Sequence, residues 1–233
     1  RDINNKKNTF IKNKYYYKIF CYTSKKIFDP LIEYSSEKFF FNKKIIFTNY
    51  VSRAYEIEKI KNITPIKVKQ YDLLIGLGCS VNALNLIIKL LEIKNKKFRN
   101  EKWCVFLGDA LIKKYKLKII NKYSSKNIVI IEYSENYLEY LKNSKKVISH
   151  GGYNSITDSL YYKKTCLFIA RDVPEKDQEI HLEYLKNNKI IFDYLLEKDL
   201  NLKKLICFLN NTTKSKKISL NGSDIIGKNI NLK

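Results

Sequence analysis

From residue 71 onward the chain alternates between apolar runs of strand length and segments whose apolar residues recur at helical spacing. YDLLIGLG leads into VNALNLIIKLLEI, where Leu84, Ile87, Ile88 and Leu91 share a face, and KWCVFLG leads into ALIKKYKLKII. NIVIIEYS is followed by ENYLEYLKNS, KKVIS by NSITDSLYYKK, TCLFIA by DQEIHLEYLKNN, and KIIFDY by LNLKKLICFLNN. Apolar residues three and four apart make one stripe of a helix, whereas a short run that is apolar at every position suits a strand covered on both faces. Such strands separated by helices predict a Rossmann-like, doubly wound α/β domain with a parallel sheet, over residues 71–211.

Residues 1–50 follow another pattern: a polar start, a strand-like YYYKIFCYT, a short helix-like IFDPLIEYS and a strand-like KKIIFTNY. They look like the tail end of another α/β unit. Residues 51–70, polar and carrying Pro65, are expected to be a connection. Residues 212–233 form a tail that could hold a loose terminal helix.

Composition narrows the function classes. With 45% hydrophobic residues in 233 the chain can bury a proper core. The formal charge of +22 brings nucleic acid or an anionic membrane into consideration. The lysines, however, are spread along the whole length among Asn, Ile and Tyr, which describes a solvated basic surface better than a dedicated polyanion site. No helix-turn-helix, zinc or RNA-binding motif organises the charge, so nucleic acid is not the expected partner. Cys21, Cys79, Cys104, Cys166 and Cys207 have no metal-like spacing and suit reduced thiols of a cytoplasmic protein. LNLIIKLLEI is broken by Lys89 and falls short of a membrane span. The sequence begins with Arg1 and holds no methionine, which leads to the expectation that an N-terminal portion precedes it.

The chemistry concentrates in HGGYNSITDSL, residues 150–160, between two apolar runs. In a doubly wound sheet, ligands bind beyond the carboxyl ends of the strands, near the point where the strand order reverses. Gly151 and Gly152 would let the backbone approach a ligand and adopt positive φ, with Asn154 or Ser155 capping the next helix. The free N–H groups at that helix start would face a phosphate or diphosphate. Asp158, one turn further on, could accept hydrogen bonds from a ribose diol or could simply satisfy the helix dipole. His150 alone could equally be a satisfied core histidine.

VISHGGYNSITDSL, followed after a strand by DVPEKDQEIHLEYL, resembles the nucleotide-sugar-binding half of GT-B glycosyltransferases. More closely it is similar to the glycosyltransferase family 28 C-terminal domain, a family that includes the lipid-II-forming N-acetylglucosaminyltransferase, and to a set of bacterial predicted glycosyltransferases. RDI at the start, the YYYKIF strand, IIFTNYV and LLIGLGCS match the order expected in that set, so the resemblance spans nearly the whole chain. It implies a C-terminal GT-B half in which Gly78, Cys79 and Ser80 form the turn near the donor phosphates. Tyr133 and Ser134 would hold the uracil. His150, Gly151, Gly152, Tyr153, Asn154 and Ser155 would form the diphosphate turn, Asp158 the ribose carboxylate, and Asp177 and Gln178 the pair on the sugar hydroxyls. His181 is left as a surface residue.

The same resemblance implies sugar transfer from a UDP-sugar with inversion, without a metal or other cofactor. The catalytic base and the acceptor pocket would belong to an N-terminal Rossmann-like domain, of which residues 1–50 are a remnant. The implied acceptor is lipid-linked or saccharide, as in cell-envelope polysaccharide synthesis, with peripheral contact at the inner face of an anionic membrane. The alternatives at this level are a UDP-sugar epimerase of the same fold, a non-catalytic remnant and a basic polyanion-binding protein.

Overall fold

The computed structural model describes residues 17–30, 44–60, 66–77, 81–108, 112–174, 176–198 and 202–230. Its centre is a six-stranded, all-parallel sheet of β3 (Tyr71–Gly76), β4 (Trp103–Phe106), β5 (Ile128–Ile131), β6 (Ser144–His150), β7 (Thr165–Ala170) and β8 (Asp193–Leu196). The strand order is β5-β4-β3-β6-β7-β8, so the chain winds outward from β3 in one direction and from β6 in the other. Between these two strands, where Ile75 pairs with Ile148 and Gly76 with Ser149, the connections on either side diverge and leave a crevice.

Strand periodicity divides the core into two layers. Leu73, Ile75, Trp103, Val105, Ile148, Leu167 and Ile169 face one way, onto α2 (Val81–Lys97), α3 (Lys113–Tyr123) and α7 (Leu202–Asn210), which contribute Leu84, Leu91, Ile119 and Phe208. Leu74, Cys104, Phe106, Val147, Cys166 and Phe168 face the other way. They meet Leu138 of α4 (Tyr137–Lys142), Ile156 and Leu160 of α5 (Tyr153–Tyr161), and Leu182 and Leu185 of α6 (Asp177–Asn187). Because successive side chains of a strand point to opposite faces, a run that is apolar throughout feeds both layers.

Residues before the sheet pack on the second layer. β1 (Ile19–Cys21) and β2 (Ile45–Phe47) form a separate parallel pair. After them α1 (Arg53–Lys59) occupies part of the segment expected to be a connection. Ser52 caps it, its Oγ accepting from Tyr55 N at 3.4 Å. In the tail, α8 (Gly222–Asn229) returns to this region: Gly222 N donates to Tyr50 O at 2.9 Å, and Tyr55 Oη donates to Asp224 at 2.6 Å. β8 begins later than KIIFDY suggested. Ile190 and Ile191 are buried below the sheet edge, and the strand itself is DYLL.

Candidate active site

A cleft of about 430 Å³ lies at the carboxyl ends of β3 to β7, over the crevice between β3 and β6. Its walls include Gly76, Phe106 and Gly108, the loop from Glu132 to Glu135, Tyr137, His150, Gly152, Ser155, Arg53, Arg171 and Gln178. Gly108 has φ 77°, a left-handed conformation that glycine takes without strain. The Tyr137 phenol lies against Gly76, where an added Cβ would stand 3.0 Å from its Oη, and burial holds its pKa above the usual range.

The two adjacent glycines serve different ends. Neither has positive φ, which corrects the expectation for this turn: Gly152 has φ −72° and ψ 147°. A Cβ on Gly151 would stand 2.5 Å from Leu182 Cδ1, so this glycine is needed for the close approach of α6. Among the described residues Gly152 has nothing within 4 Å of such a Cβ, and it opens onto the cleft. It is also the N-cap of α5, with no side-chain cap hydrogen bond, so neither Asn154 nor Ser155 caps the helix. Ile156 N closes the first turn on Gly152 O at 3.0 Å. The N–H groups of Tyr153, Asn154 and Ser155 precede that bond and are the positive end of the helix dipole.

Side chains of the HGGYNS segment divide between cleft and core. Ser155 lines the cleft. Tyr153 turns away: its hydroxyl donates to Tyr22 O at 2.7 Å and accepts from Val51 N at 2.8 Å. Asn154 is exposed, and its carbonyl accepts from Thr157 Oγ1. His150 borders the cleft but is only 6% exposed, and neither of its ring nitrogens has a hydrogen-bond partner among the described residues. Glu197 Oε1 is 3.7 Å from its Nε2. Burial, reinforced by the nearby Arg171 charge and opposed by Glu197, pushes the His150 pKa down to about 4, so the ring is neutral at pH 7.

Asp158 does not reach the cleft. It is 1% exposed, and its carboxylate is engaged by α1: Oδ1 accepts from Ser52 Oγ at 3.1 Å and Ala54 N at 3.0 Å, and Oδ2 from Arg53 Nη2 at 3.1 Å. The ribose contact considered for it is therefore replaced by a clamp between two helices, whose outer member, Arg53, does face the cleft. Gln178 lines the cleft and accepts from Arg171 N at 3.1 Å, whereas Asp177 is exposed in the first turn of α6, outside the lining. Tyr133, exposed, and Ser134, whose Oγ accepts from Asn136 N at 3.1 Å, form the wall opposite α5. Gly78, Cys79 and Ser80 lie outside the described residues.

His181 is not a surface residue. It is buried with its Nε2 2.9 Å from Tyr50 Oη, and its ring lies near-parallel to those of Phe28 and Tyr50. The sequence reading missed Arg53, Arg171, Tyr137, Glu132 and Glu135. A signal existed for Arg171, which follows the last residue of an apolar strand in a chain with only four arginines.

Among the described residues no group of three or more His, Cys, Asp or Glu side chains could hold a metal ion, and no helix is long and apolar enough to cross a membrane. Residues 74–224 match the model of the glycosyltransferase family 28 C-terminal domain. Among solved structures, Arabidopsis thaliana UGT89C1 complexed with UDP-L-rhamnose is 10% identical with a TM-score of 0.57, covering 97% of this chain and 57% of that one. The glycotransferase of kitacinnamycin is 12% identical with a TM-score of 0.55, covering 73% of this chain and 42% of that one. At these identities the likeness is one of fold, and the chain spans about half the length of either relative. No curated protein sequence matches it.

Proposed function

Because the chain belongs to the family defined by the glycosyltransferase family 28 C-terminal domain, we propose that it carries the donor half of a glycosyltransferase, binding a UDP-sugar in the cleft over β3 and β6. The observation that supports this most directly is the uncapped start of α5 opening into that cleft beside Arg53, Arg171 and a buried His150 that has no hydrogen-bond partner among the described residues. The diphosphate would take hydrogen bonds from the amides of Tyr153, Asn154 and Ser155 and charge from the two guanidinium groups. The base would lie on the Tyr133–Ser134 wall, and the sugar toward Gln178. UDP is also the nucleotide portion of the UDP-L-rhamnose held in the Arabidopsis complex.

In transfer with inversion, the acceptor hydroxyl oxygen bonds to the anomeric carbon as the bond from that carbon to the diphosphate oxygen breaks on the opposite face. The acceptor proton passes to a base outside the donor half, and negative charge accumulates on the departing diphosphate. Fixed N–H dipoles and guanidinium groups stabilise that charge without reorganising. Neutral His150 can add one N–H donor but no charge. Loss of a single donor of this kind typically costs about 10² to 10³ in rate.

Amide chemical-shift mapping of the ¹⁵N-labelled chain during UDP titration tests the reading. Saturable shifts should cluster at Tyr133, Ser134, Gly152 to Ser155 and Arg171, with UMP binding at least tenfold more weakly. Failure of UDP to bind, or shifts confined to another face, would overturn it.

A further inference from the structure

A second pocket, of about 500 Å³, lies at the opposite edge of the same sheet, at the amino ends of β6 and β7. Strands of six or seven residues separate it from the donor cleft by roughly 20 Å. Six of its twelve lining residues are lysines, Lys142, Lys145, Lys146, Lys163, Lys164 and Lys214, whereas about one residue in six of the whole chain is lysine. Composition therefore does not account for the cluster. The fold gathers these lysines from the end of α4, the start of β6, the turn after α5 and the tail after α7.

Among the described residues carboxylates compensate two of the six. Lys142 pairs with Glu58 at 2.9 Å and Lys145 with Asp72 at 2.7 Å. The ammonium of Lys164 donates to Lys142 O at 2.6 Å and that of Lys146 to Leu209 O, so both are fixed by neutral carbonyls. Among the described residues no carboxylate pairs with Lys146, Lys163, Lys164 or Lys214. The walls are held in place: Ser144 Oγ donates to Tyr140 O at 2.7 Å, and Ser215 N ties the tail to Lys164 O at 3.2 Å. Burial, opposed by Cys166 and helped by weaker repulsion from Lys214 and Lys142, lowers the Lys164 pKa to about 8.

We propose that this pocket is a second ligand site, separate from the donor cleft, for a solute carrying two or more clustered phosphate groups. Convergent ammonium groups on a concave, anchored surface match such a ligand in charge and in size. The Thr165 and Thr212 positions on its rim add polar lining. The phosphates could come from a free polyphosphorylated solute or from a lipid headgroup.

The test is calorimetric titration of the chain with tripolyphosphate at 150 mM KCl, with and without saturating UDP. Binding should be saturable and insensitive to UDP. It should weaken at least tenfold in the Lys163→Glu/Lys214→Glu variant and by less than twofold in Lys96→Glu/Lys97→Glu, which changes net charge equally at two exposed lysines outside the pocket. Near pH 8, binding should be accompanied by proton uptake. Co-sedimentation with cardiolipin vesicles, whose headgroup carries two phosphates, identifies a headgroup as the source if it depends on Lys163 and Lys214. Tripolyphosphate binding without co-sedimentation identifies a free solute. Equal weakening in both variants, displacement by UDP, or no binding would overturn the proposal. Folding of each variant is checked by its far-ultraviolet spectrum and its unchanged response to UDP.

Discussion

Gly151 and Gly152 stand side by side, yet substituting them should have unlike consequences. An alanine methyl at Gly151 would meet Leu182 Cδ1 at 2.5 Å, and Leu182 is fully buried, so its side chain, α6 or the turn must shift. Overpacking of this kind typically costs about 1 to 3 kcal/mol. At Gly152 the same methyl meets nothing among the described residues, and the loss there is that alanine is a poorer N-cap, at most about 1 kcal/mol. Urea unfolding should therefore place Gly151→Ala well below Gly152→Ala in stability, while Gly152→Ala, which adds a methyl at the cleft, should weaken UDP binding more than its stability loss explains. Equal unfolding midpoints for the two variants would sink this division of roles. The sequence marks the pair as a turn at a strand end because Gly-Gly before a polar helix start is visible in one dimension. What crowds Gly151 is a leucine 31 positions later, and no local pattern carries that information.

At the level of elements, the joint between α1 and α5 rests on one carboxylate. Asp158 takes up the Ser52 hydroxyl, the Ala54 amide and the Arg53 guanidinium, and Ser52 also caps α1. Asp158→Ala would leave the buried Ala54 N–H and Ser52 hydroxyl without this acceptor, at about 1 to 3 kcal/mol for each unsatisfied group. Arg53 is half exposed and would be rehydrated, so its charge adds little to that loss. Asp158→Asn keeps one acceptor oxygen for Ser52 and Ala54, and should destabilise by less than half as much. Denaturant unfolding of the two variants checks the ratio, and an alanine variant as stable as the wild type would dismiss the clamp. The alternation of apolar runs and helical stripes was enough to foresee the parallel, doubly wound sheet, because each strand fills both core layers. The α1 helix escaped because only Ala54 of its residues is buried, which leaves no apolar stripe to read. The role of Asp158 escaped too, since a helix-start carboxylate has the same letters whether it faces ligand or neighbouring helix. Tyr133, Ser134, His150, Gly152, Ser155 and Gln178 do meet in one cleft because all follow the carboxyl ends of strands.

Across the whole molecule, charge is arranged by the sheet: two arginines and two glutamates line the cleft at one edge, six lysines the pocket at the other. Neither histidine contributes to the charge at pH 7. The chain has two, His150 and His181, and burial lowers the pKa of each to about 4, assisted by Arg171 in the case of His150. An unfolded histidine titrates near 6.5, so between about pH 4 and 6.5 the unfolded chain binds more protons than the folded one. Stability contributed by keeping these rings neutral is thus complete above pH 6.5 and is lost as the pH falls toward 4, on the order of 3 kcal/mol for each histidine. Unfolding at about pH 5.5, where most unfolded histidine is protonated and most carboxylates are still ionised, should take up about two protons. Replacing His181 by Gln, which retains a polar group toward Tyr50, should halve that number even if it lowers stability overall. Calorimetric unfolding in buffers of different ionisation enthalpy reads the proton count directly. An uptake well below one proton in the wild type would mean that the rings are already charged in the folded state. The donor cleft would then hold a cationic His150 beside Arg171, and the neutral hydrogen-bond donor assigned to the departing diphosphate would have to be replaced by a third positive charge.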